Sequence, residues 1–169
     1  ARSKEASKIA SLLTPITKFF LTESANQIAY DALQIHGGAG YMREFNVERH
    51  VRDARITNIY EGTTQLQIVA ATPGVMKDIL ADHFAAKAAA SYRGSLARLA
   101  DLLVELRKLY LAGLKVVTDK GDRYFEEVAA RELTQMYGML YVGYLLLDEA
   151  QLDDRKVFIA NRYIVSSLA

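Results

Sequence analysis

Apolar residues recur at helical spacing along almost the whole chain, and this periodicity constrains its fold more than any other feature. Between residues 95 and 118 they repeat at intervals of three and four, as in Leu99, Leu102, Leu106 and Leu109. The same spacing predicts further helices over residues 15–35, 47–60, 63–71, 123–151 and from 153 onward. No segment alternates apolar and polar residues as a half-buried strand does. We therefore predict an all-α chain folded as an antiparallel helical bundle.

Proline and glycine mark the predicted helix ends in the first half of the chain. Thr14 followed by Pro15 is typical of an N-cap and a first helical position, so residues 1–13 are predicted to end a separate helix. Gly37 and Gly38 are predicted to stop the helix that starts at Pro15, with a loop after them. This half of the chain is therefore expected to consist of several helices joined by turns.

The pair Pro73-Gly74 is the clearest boundary in the sequence, and a short helix over about residues 75–83 is predicted beyond it. We therefore divide the chain into a helical domain over residues 1–73 and a helical extension over residues 74–169. The extension is expected to cover the core and support assembly. Contact with a membrane or a partner is the alternative for this segment.

The helix predicted over residues 123–151 has two features of its own. Asp122 precedes it and is a typical N-cap residue. Near its end, Met139, Leu140, Tyr141 and Leu145 make more than one face apolar. A helix of this kind is buried on several sides. It is predicted to lie at the centre of the bundle or, as the alternative, at a subunit or domain interface.

Composition excludes several functions. The chain has 169 residues, 51% of them hydrophobic and 24% charged, with a net charge of +1, so no charged field for nucleic acid is expected. It has no cysteine, and the spacing of His36, His50 and His83 does not suit a metal, so no metal site is predicted. No apolar run reaches the roughly 20 residues that span a bilayer, so no membrane contact is expected overall.

Glu61 is the first candidate for chemistry, because it lies between Tyr60 and Gly62 just before a short predicted helix. A carboxylate at a helix start is commonly only a partner of the helix dipole. A general base needs a carboxylate held close to a substrate carbon in a dry site. Gly62 would let a substrate approach the backbone closely. Both interpretations of Glu61 stay open at the level of residue pattern.

The second candidate is the run of glycines after His36. It is either a helix end with a tight loop, or a turn whose backbone N–H groups meet a phosphate-bearing cofactor. It lacks the Lys and Ser or Thr of a phosphate loop, and no strand precedes it as in a dinucleotide fingerprint. The charged residues that follow are predicted to form a salt-bridged helix face: Glu44, Glu48, Arg49, Arg52, Asp53 and Arg55.

Residues from about 15 to 71 resemble the C-terminal helical domain of the acyl-CoA dehydrogenase family, whose longer members carry extra C-terminal helices. Four ordered blocks carry the resemblance: Gln34-Ile35-His36-Gly37-Gly38-Ala39-Gly40-Tyr41, Glu44-Phe45-Asn46-Val47-Glu48-Arg49, Arg52-Asp53-Ala54-Arg55 and Ile59-Tyr60-Glu61-Gly62-Thr63-Thr64-Gln65-Leu66-Gln67. The resemblance implies oxidation of acyl-CoA to trans-2-enoyl-CoA with FAD as cofactor.

The resemblance also implies a role for each matching residue. Glu61 would be the catalytic base that takes the α-proton, and Tyr60 and Gly62 would lie against the acyl-CoA substrate. The residues implied to contact FAD are Gln34, Ile35, His36, Gly37, Gly38, Thr63, Thr64 and Gln65. An electron-transfer flavoprotein is the implied electron acceptor, and a homo-oligomer is the implied assembly. The expected location is the bacterial cytoplasm, with the mitochondrial matrix as the alternative.

Full-length members of the family have an N-terminal helical domain and a middle β-domain that clasps the flavin, so we expect this chain to be the C-terminal part of a longer enzyme and to be inactive alone. Three other hypotheses remain. The chain could be a binding or assembly module that kept the fold without turnover, an acyl-CoA oxidase relative, or a structural bundle with an accidental match.

Overall fold

The structure is a computed structural model that describes residues 2–168, with side chains described from residue 3 onward. Its described residues fall into two compact units, which divide between Ala71 and Thr72. The outer ends of the two predicted domains, Ala1 and Ala169, lie outside the described residues. Each unit is considered by itself below.

The first unit contains α1 (Arg2–Gly40), α2 (Val47–Thr57) and the beginning of α3 (Thr64–Met76). Leu12, Ile16 and Phe19 are almost fully buried and share one face of α1, as the sequence periodicity predicts. α2 packs against α1. The charged face predicted for α2 is confirmed, because ion pairs link its residues four apart: Arg52 with Glu48 at 3.0 Å and Arg49 with Asp53 at 3.5 Å.

The predicted break at Thr14-Pro15 is wrong, because α1 continues through Pro15. Thr14 is no N-cap: its hydroxyl donates to the Ala10 carbonyl 2.8 Å away, inside the helix. Proline removes one backbone hydrogen bond and costs about 3 kcal/mol in a helix interior. The buried face that includes Leu12 and Ile16 extends across the proline, and its burial outweighs that local cost.

The predicted stop at Gly37 is present as a kink, since Gly37 has φ 62° and ψ −154°. Helical structure nevertheless resumes to Gly40, so the loop predicted over residues 37–46 is shorter than expected. The helix end predicted at residue 71 is also displaced, because α3 runs through Pro73 and Gly74 to Met76. The single helix predicted over residues 75–83 is wrong: residues 77–80 form a turn, and α4 (Ala81–Ala88) starts after it.

The second unit contains α4, α5 (Ser95–Lys120), α6 (Arg123–Leu152), a 3-10 turn (Asp154–Lys156) and α7 (Val157–Ser166). A two-residue turn joins α5 to α6, which makes them antiparallel neighbours. α6 contacts α4, α5 and α7, so its predicted central position in the bundle is confirmed. The close approach of α5 and α6 depends on Gly143, where an added Cβ would lie 2.6 Å from Leu103.

Local capping explains where α6 begins. Gly121 has φ 60° and closes α5 in the left-handed conformation that glycine adopts at low cost. Asp122 accepts a hydrogen bond from the Tyr124 N–H at 2.9 Å, which confirms the predicted N-cap. Asp153 does the same for Arg155 at the start of the 3-10 turn, at 3.0 Å.

A polar network lies inside the second unit, around the turn that follows α3. Asp78 has φ 49° and forms a two-pronged ion pair with Arg107 of α5. The Tyr137 hydroxyl lies 3.2 Å from Asp78 and accepts from the Leu80 N–H at 2.7 Å. Arg107 also lies 5.0 Å from the Tyr110 ring centroid. The network therefore fixes the turn against α5 and α6.

The all-α prediction is confirmed: residues 2–168 form seven α-helices and one 3-10 turn and contain no strand. Within the same residues, no helix combines the length and the apolar character needed to cross a membrane.

Removing the Arg107 charge should destabilise the protein strongly. The side chains of Arg107 and Asp78 are only 15% and 17% exposed, so Arg107→Met leaves a largely buried carboxylate unpaired. We expect the free energy of unfolding, measured with urea, to fall by about 3–5 kcal/mol. Lys108→Met is the matched control, because its pair with Glu105 is exposed and contributes less than about 1 kcal/mol. Equal losses in the two variants would contradict the role given to the Asp78 network.

The buried tyrosines should make the second unit sensitive to alkali. Burial, with the nearby Asp148 charge, raises the pKa of Tyr92 from 10.0 to about 12. Burial also raises the pKa of Tyr110, Tyr137, Tyr144 and Tyr163. The folded state therefore holds these protons more tightly than the unfolded state, and stability is retained below pH 10 and lost as the pH rises towards 12.

Phenolate absorbance, followed together with circular dichroism, tests this expectation. The buried tyrosines should ionise only as the helical signal is lost. Their ionisation while the helices stay intact would show that burial does not protect them.

Candidate active site

Glu61 lies in the turn between α2 and α3, and its backbone is unusual. It has φ 53°, and Gly62 after it has φ 90°. Left-handed backbone is uncommon for residues other than glycine, and glutamate gains nothing locally from it. Glycine is favoured there by its φ, and an added Cβ would lie 2.5 Å from Nε2 of Gln67, so the end of that side chain would have to move.

Side chains from α1 and α3 hold the backbone of this turn. The Lys18 ammonium of α1 donates to the carbonyls of Thr57, Tyr60 and Gly62 at 3.1, 2.8 and 2.7 Å. Gln67 Nε2 donates to the carbonyl of Glu61 at 3.2 Å. Each carbonyl from Tyr60 to Gly62 thus accepts a hydrogen bond from a side chain. The conformation of the turn is set by groups outside it.

A second set of contacts joins α1 to the helix ends that flank the turn. Glu23 accepts hydrogen bonds from Asn58 at 3.2 Å and from the Thr64 hydroxyl at 2.7 Å. Asn26 donates to the carbonyl of Ala54 at 2.9 Å. The end of α2 and the start of α3 are therefore tied to the same stretch of α1 that carries Lys18.

The carboxylate of Glu61 takes no part in these contacts. It is exposed, and within residues 2–168 it forms no ion pair and accepts no hydrogen bond. Three residues ahead of α3, it lies near the positive end of the helix dipole. Tyr60 is 49% exposed beside it. The turn thus presents a free carboxylate on a constrained backbone.

The threonines after Glu61 differ in what they offer. Thr63 and Gln65 are exposed, and the Thr63 hydroxyl accepts from the Leu66 N–H at 3.3 Å at the start of α3. Thr64 is buried, and its hydroxyl is occupied by Glu23. The hydroxyl of Thr64 therefore supports the fold, whereas Thr63 and Gln65 are available to a ligand.

The glycine turn at the end of α1 is open. Gln34, Ile35 and His36 are exposed, Ile35 by 85%, and a Cβ added at Gly37 or Gly38 would meet nothing within 4 Å. The Nδ1 atom of His36 lies 2.9 Å from the Ala32 carbonyl, which can only accept, so Nδ1 carries the hydrogen and Nε2 is free to accept. No hydrogen bond within residues 2–168 joins this turn to the Glu61 turn.

Two open depressions lie along α1 and α2. One has a volume of about 490 Å³ and is lined by Leu33, Tyr41, Arg43, Glu48, Val51 and Arg52. The other, of about 360 Å³, is lined by Glu23, Asn26, Gln27, Tyr30, Val51 and Arg55. Among the described residues, no cluster of three or more side chains could hold a metal ion.

Four residues of this site were missed by reasoning from the sequence: Lys18, Glu23, Asn26 and Gln67. The first three lie on α1, 28 to 44 positions before the residues that they bind. A lysine or an amide on the face of an amphipathic helix has no local feature that marks it as a contact to a distant turn. Gln67 belonged to a matching block, but nothing in the pattern indicated its role.

α1, α2 and the constrained turn around Glu61 form an all-α domain that presents a free carboxylate. Residues 1–73 match the family described as acyl-CoA dehydrogenase, C-terminal domain. The predicted resemblance to this family is thereby confirmed for that part of the chain. Probable acyl-CoA dehydrogenases of Mycobacterium are among the matches, 39% identical over 77 residues, 46% of this chain.

Three further relatives illustrate the similarity. A 3-(aryl)acrylate reductase of Clostridium sporogenes is 45% identical over 74 residues, 44% of this chain. The caffeyl-CoA reductase-Etf complex subunit CarC of Acetobacterium woodii is 50% identical over 64 residues, 38% of this chain. A 3-methylmercaptopropionyl-CoA dehydrogenase of Ruegeria pomeroyi is 39% identical over 119 residues, 65% of this chain. The matched segments span only 19%, 16% and 20% of these relatives.

Replacing Gly62 should show how tightly the turn is constrained. We expect Gly62→Ala to lower the free energy of unfolding by about 1–2 kcal/mol, because alanine is strained at φ 90° and its Cβ would displace Gln67. Gly38→Ala is the matched control, since that position has open space and no positive φ, and it should be neutral or slightly stabilising. Urea unfolding of both variants measures the difference. If Gly62→Ala proves as stable as Gly38→Ala, the turn is not constrained as described.

Proposed function

We propose that this chain supplies the catalytic base and part of the flavin-contacting surface of an FAD-dependent acyl-CoA dehydrogenase. The observation that carries the proposal is Glu61: a carboxylate with no partner within residues 2–168, on a strained backbone that other side chains hold in place. Strained residues held by their surroundings cluster at active sites. The match of residues 1–73 to the family supports the same assignment.

The chemistry assigned to Glu61 is proton abstraction. A thioester carbonyl acidifies the hydrogen on its α-carbon, and the Glu61 carboxylate accepts that proton as the double bond forms. Bound flavin supplies the acceptor for the hydrogen that leaves the β-carbon with its electron pair, so the product is a trans-2-enoyl-CoA. Tyr60 and Gly62 flank the carboxylate and are proposed to line the path of the acyl chain.

The residues proposed to hold FAD fit a ligand of that kind to different degrees. Gly37 and Gly38 are open on all sides, and His36 offers Nε2 as an acceptor, which suits the polar adenine dinucleotide part. Gln34, Ile35, Thr63 and Gln65 are exposed, and any of them could contact the cofactor. Thr64 fits least, because its hydroxyl is already bonded to Glu23. Its backbone N–H also donates to the Asn58 carbonyl at 3.1 Å, so we assign Thr64 a contact through its methyl group.

The rest of the enzyme is proposed to lie elsewhere in a longer chain, because the matched segments cover at most a fifth of the relatives' length. We propose an electron-transfer flavoprotein as the acceptor of electrons. The name of the Acetobacterium woodii relative, a subunit of a caffeyl-CoA reductase-Etf complex, supports such a partnership.

Reduction of an enoyl substrate is the second candidate, and the names of two relatives favour it, since both are reductases. The role of Glu61 is the same in either direction: the acid that returns a proton to the α-carbon is the base that removes it. Both candidates therefore depend on this carboxylate.

Glu61→Gln in the intact flavoenzyme that carries this chain tests the assignment. The amide keeps the shape and cannot accept a proton, so turnover should fall by about 10²–10⁴-fold. Assays with butyryl-, octanoyl- and palmitoyl-CoA and a dye as acceptor measure the loss, and flavin absorbance checks that the cofactor is retained. Glu5→Gln is the control, because Glu5 is an exposed carboxylate near the start of α1. Normal turnover in Glu61→Gln would disprove the proposed function.

A further inference from the structure

Lys18 donates three hydrogen bonds to carbonyls around Glu61, and no local feature of the sequence indicates that role. We propose that Lys18 is a positioning residue for Glu61, whose ammonium holds the turn in the conformation from which the carboxylate reaches the α-carbon. This inference rests on the function proposed above, and it concerns how the base is held rather than which group is the base.

The number of donors on the Lys18 ammonium equals the number of carbonyls that it meets. An ammonium has three N–H donors and no acceptor, and Lys18 meets three carbonyls, at 3.1, 2.8 and 2.7 Å. Its hydrogen-bonding capacity is thus fully used on the turn. Within residues 2–168 no carboxylate forms an ion pair with it, so its charge is balanced by the carbonyl dipoles and the Tyr60 ring. Lys18 contributes to this unit chiefly by fixing backbone.

The three carbonyls lie at the end of α2 and on either side of Glu61. The Tyr60 carbonyl belongs to the peptide group just before Glu61, and the Gly62 carbonyl to the peptide group just after Gly62; Lys18 holds both. The third carbonyl, of Thr57, is at the last residue of α2, where helix carbonyls lack partners within the helix. One cation therefore links the end of α2 to the residues on either side of Glu61. Rotation of the peptide before Glu61 would break the bond from Lys18 to Tyr60, and rotation of the peptide after it would break the bond from Gln67 to the Glu61 carbonyl.

The backbone of the turn needs hydrogen bonds from outside it to keep its conformation. Glu61 at φ 53° is strained, and strained backbone persists only where the surrounding structure determines it. The ammonium also lies 5.6 Å from the Tyr60 ring centroid, within range of a cation–π contact. Lys18 precedes Phe19, which lies on the buried face of α1 and is 3% exposed. The ammonium that holds the turn therefore belongs to a helix that is itself fixed by packing.

Lys18→Met in the intact flavoenzyme tests the inference, assayed with octanoyl-CoA and a dye acceptor. Methionine keeps the apolar stem and removes the donors. Small displacements of reacting groups cost rate steeply, so kcat should fall by about 10–100-fold, with a smaller change in KM. Proton abstraction should become more rate-limiting, and the isotope effect with octanoyl-CoA deuterated at the α-carbon should rise. Lys8→Met, at an exposed position of the same helix, should leave all three unchanged.

Lys18→Arg provides a variant that keeps the charge, for the case in which Lys18→Met does not fold. Its planar fork cannot meet three converging carbonyls as an ammonium does, so partial loss of kcat with full flavin content is expected. If Lys18→Arg and any folded Lys18→Met both keep normal kcat and a normal isotope effect, the inference is wrong.

The double variant Lys18→Met with Glu61→Gln separates this inference from the proposed function. If Lys18 acts through Glu61, removing the lysine should lower kcat no further once the carboxylate is gone. If Lys18→Met and Lys18→Arg each lower kcat by as much in the Glu61→Gln background as they do alone, Lys18 acts independently of Glu61. That result would overturn the inference. Normal turnover in Glu61→Gln alone would instead refute the proposed function.

Discussion

One ammonium group bonded to three carbonyls is the interaction on which the site depends. Lys18 lies on α1, yet the three hydrogen bonds of its ammonium go to the end of α2 and the turn beyond it. Hydrogen bonds in which one partner is charged contribute about 1.5–3 kcal/mol where they are shielded from water. Lys18 is half-buried, so it can offset the strain of a left-handed residue in the turn. Without it, the Gly62 carbonyl would keep only the longer bond from Gln67, at 3.4 Å, and the carbonyls of Thr57 and Tyr60 would lose the donor that Lys18 supplies.

The two positive-φ residues other than glycine within residues 2–168 show how differently a cation can be used. Asp78 at φ 49° gives its carboxylate to Arg107, and the side chain itself is the anchor. Glu61 at φ 53° leaves its carboxylate free, and Lys18 binds the neighbouring backbone. The first arrangement stabilises a turn. The second stabilises a turn and keeps an acidic group available, which a purely structural turn has no need to do.

The sequence predicted the fold class and the two long helices α5 and α6, because these depend on local periodicity and capping. The Asp122 cap and the positive φ of Gly37 follow from single-residue preferences, and both are present. The helix ends predicted just before Pro15 and Pro73 were wrong for the opposite reason. A proline costs a few kcal/mol locally, whereas the buried face along a long helix gains more, and that gain depends on tertiary packing that no local pattern records.

The candidate site shows the same difference between what the local sequence indicates and what tertiary packing determines. Glu61 was found because the block around it resembles a known family, but nothing local predicted its support, since Lys18 lies 42 positions before Tyr60 and 44 before Gly62. Such a contact exists only once α1 and α2 have packed together. The geometry of the base is therefore a product of the tertiary fold. A carboxylate placed by packing in this way keeps its position only while α1 stays docked, so the chemistry assigned to Glu61 depends on a helix that does not contain it.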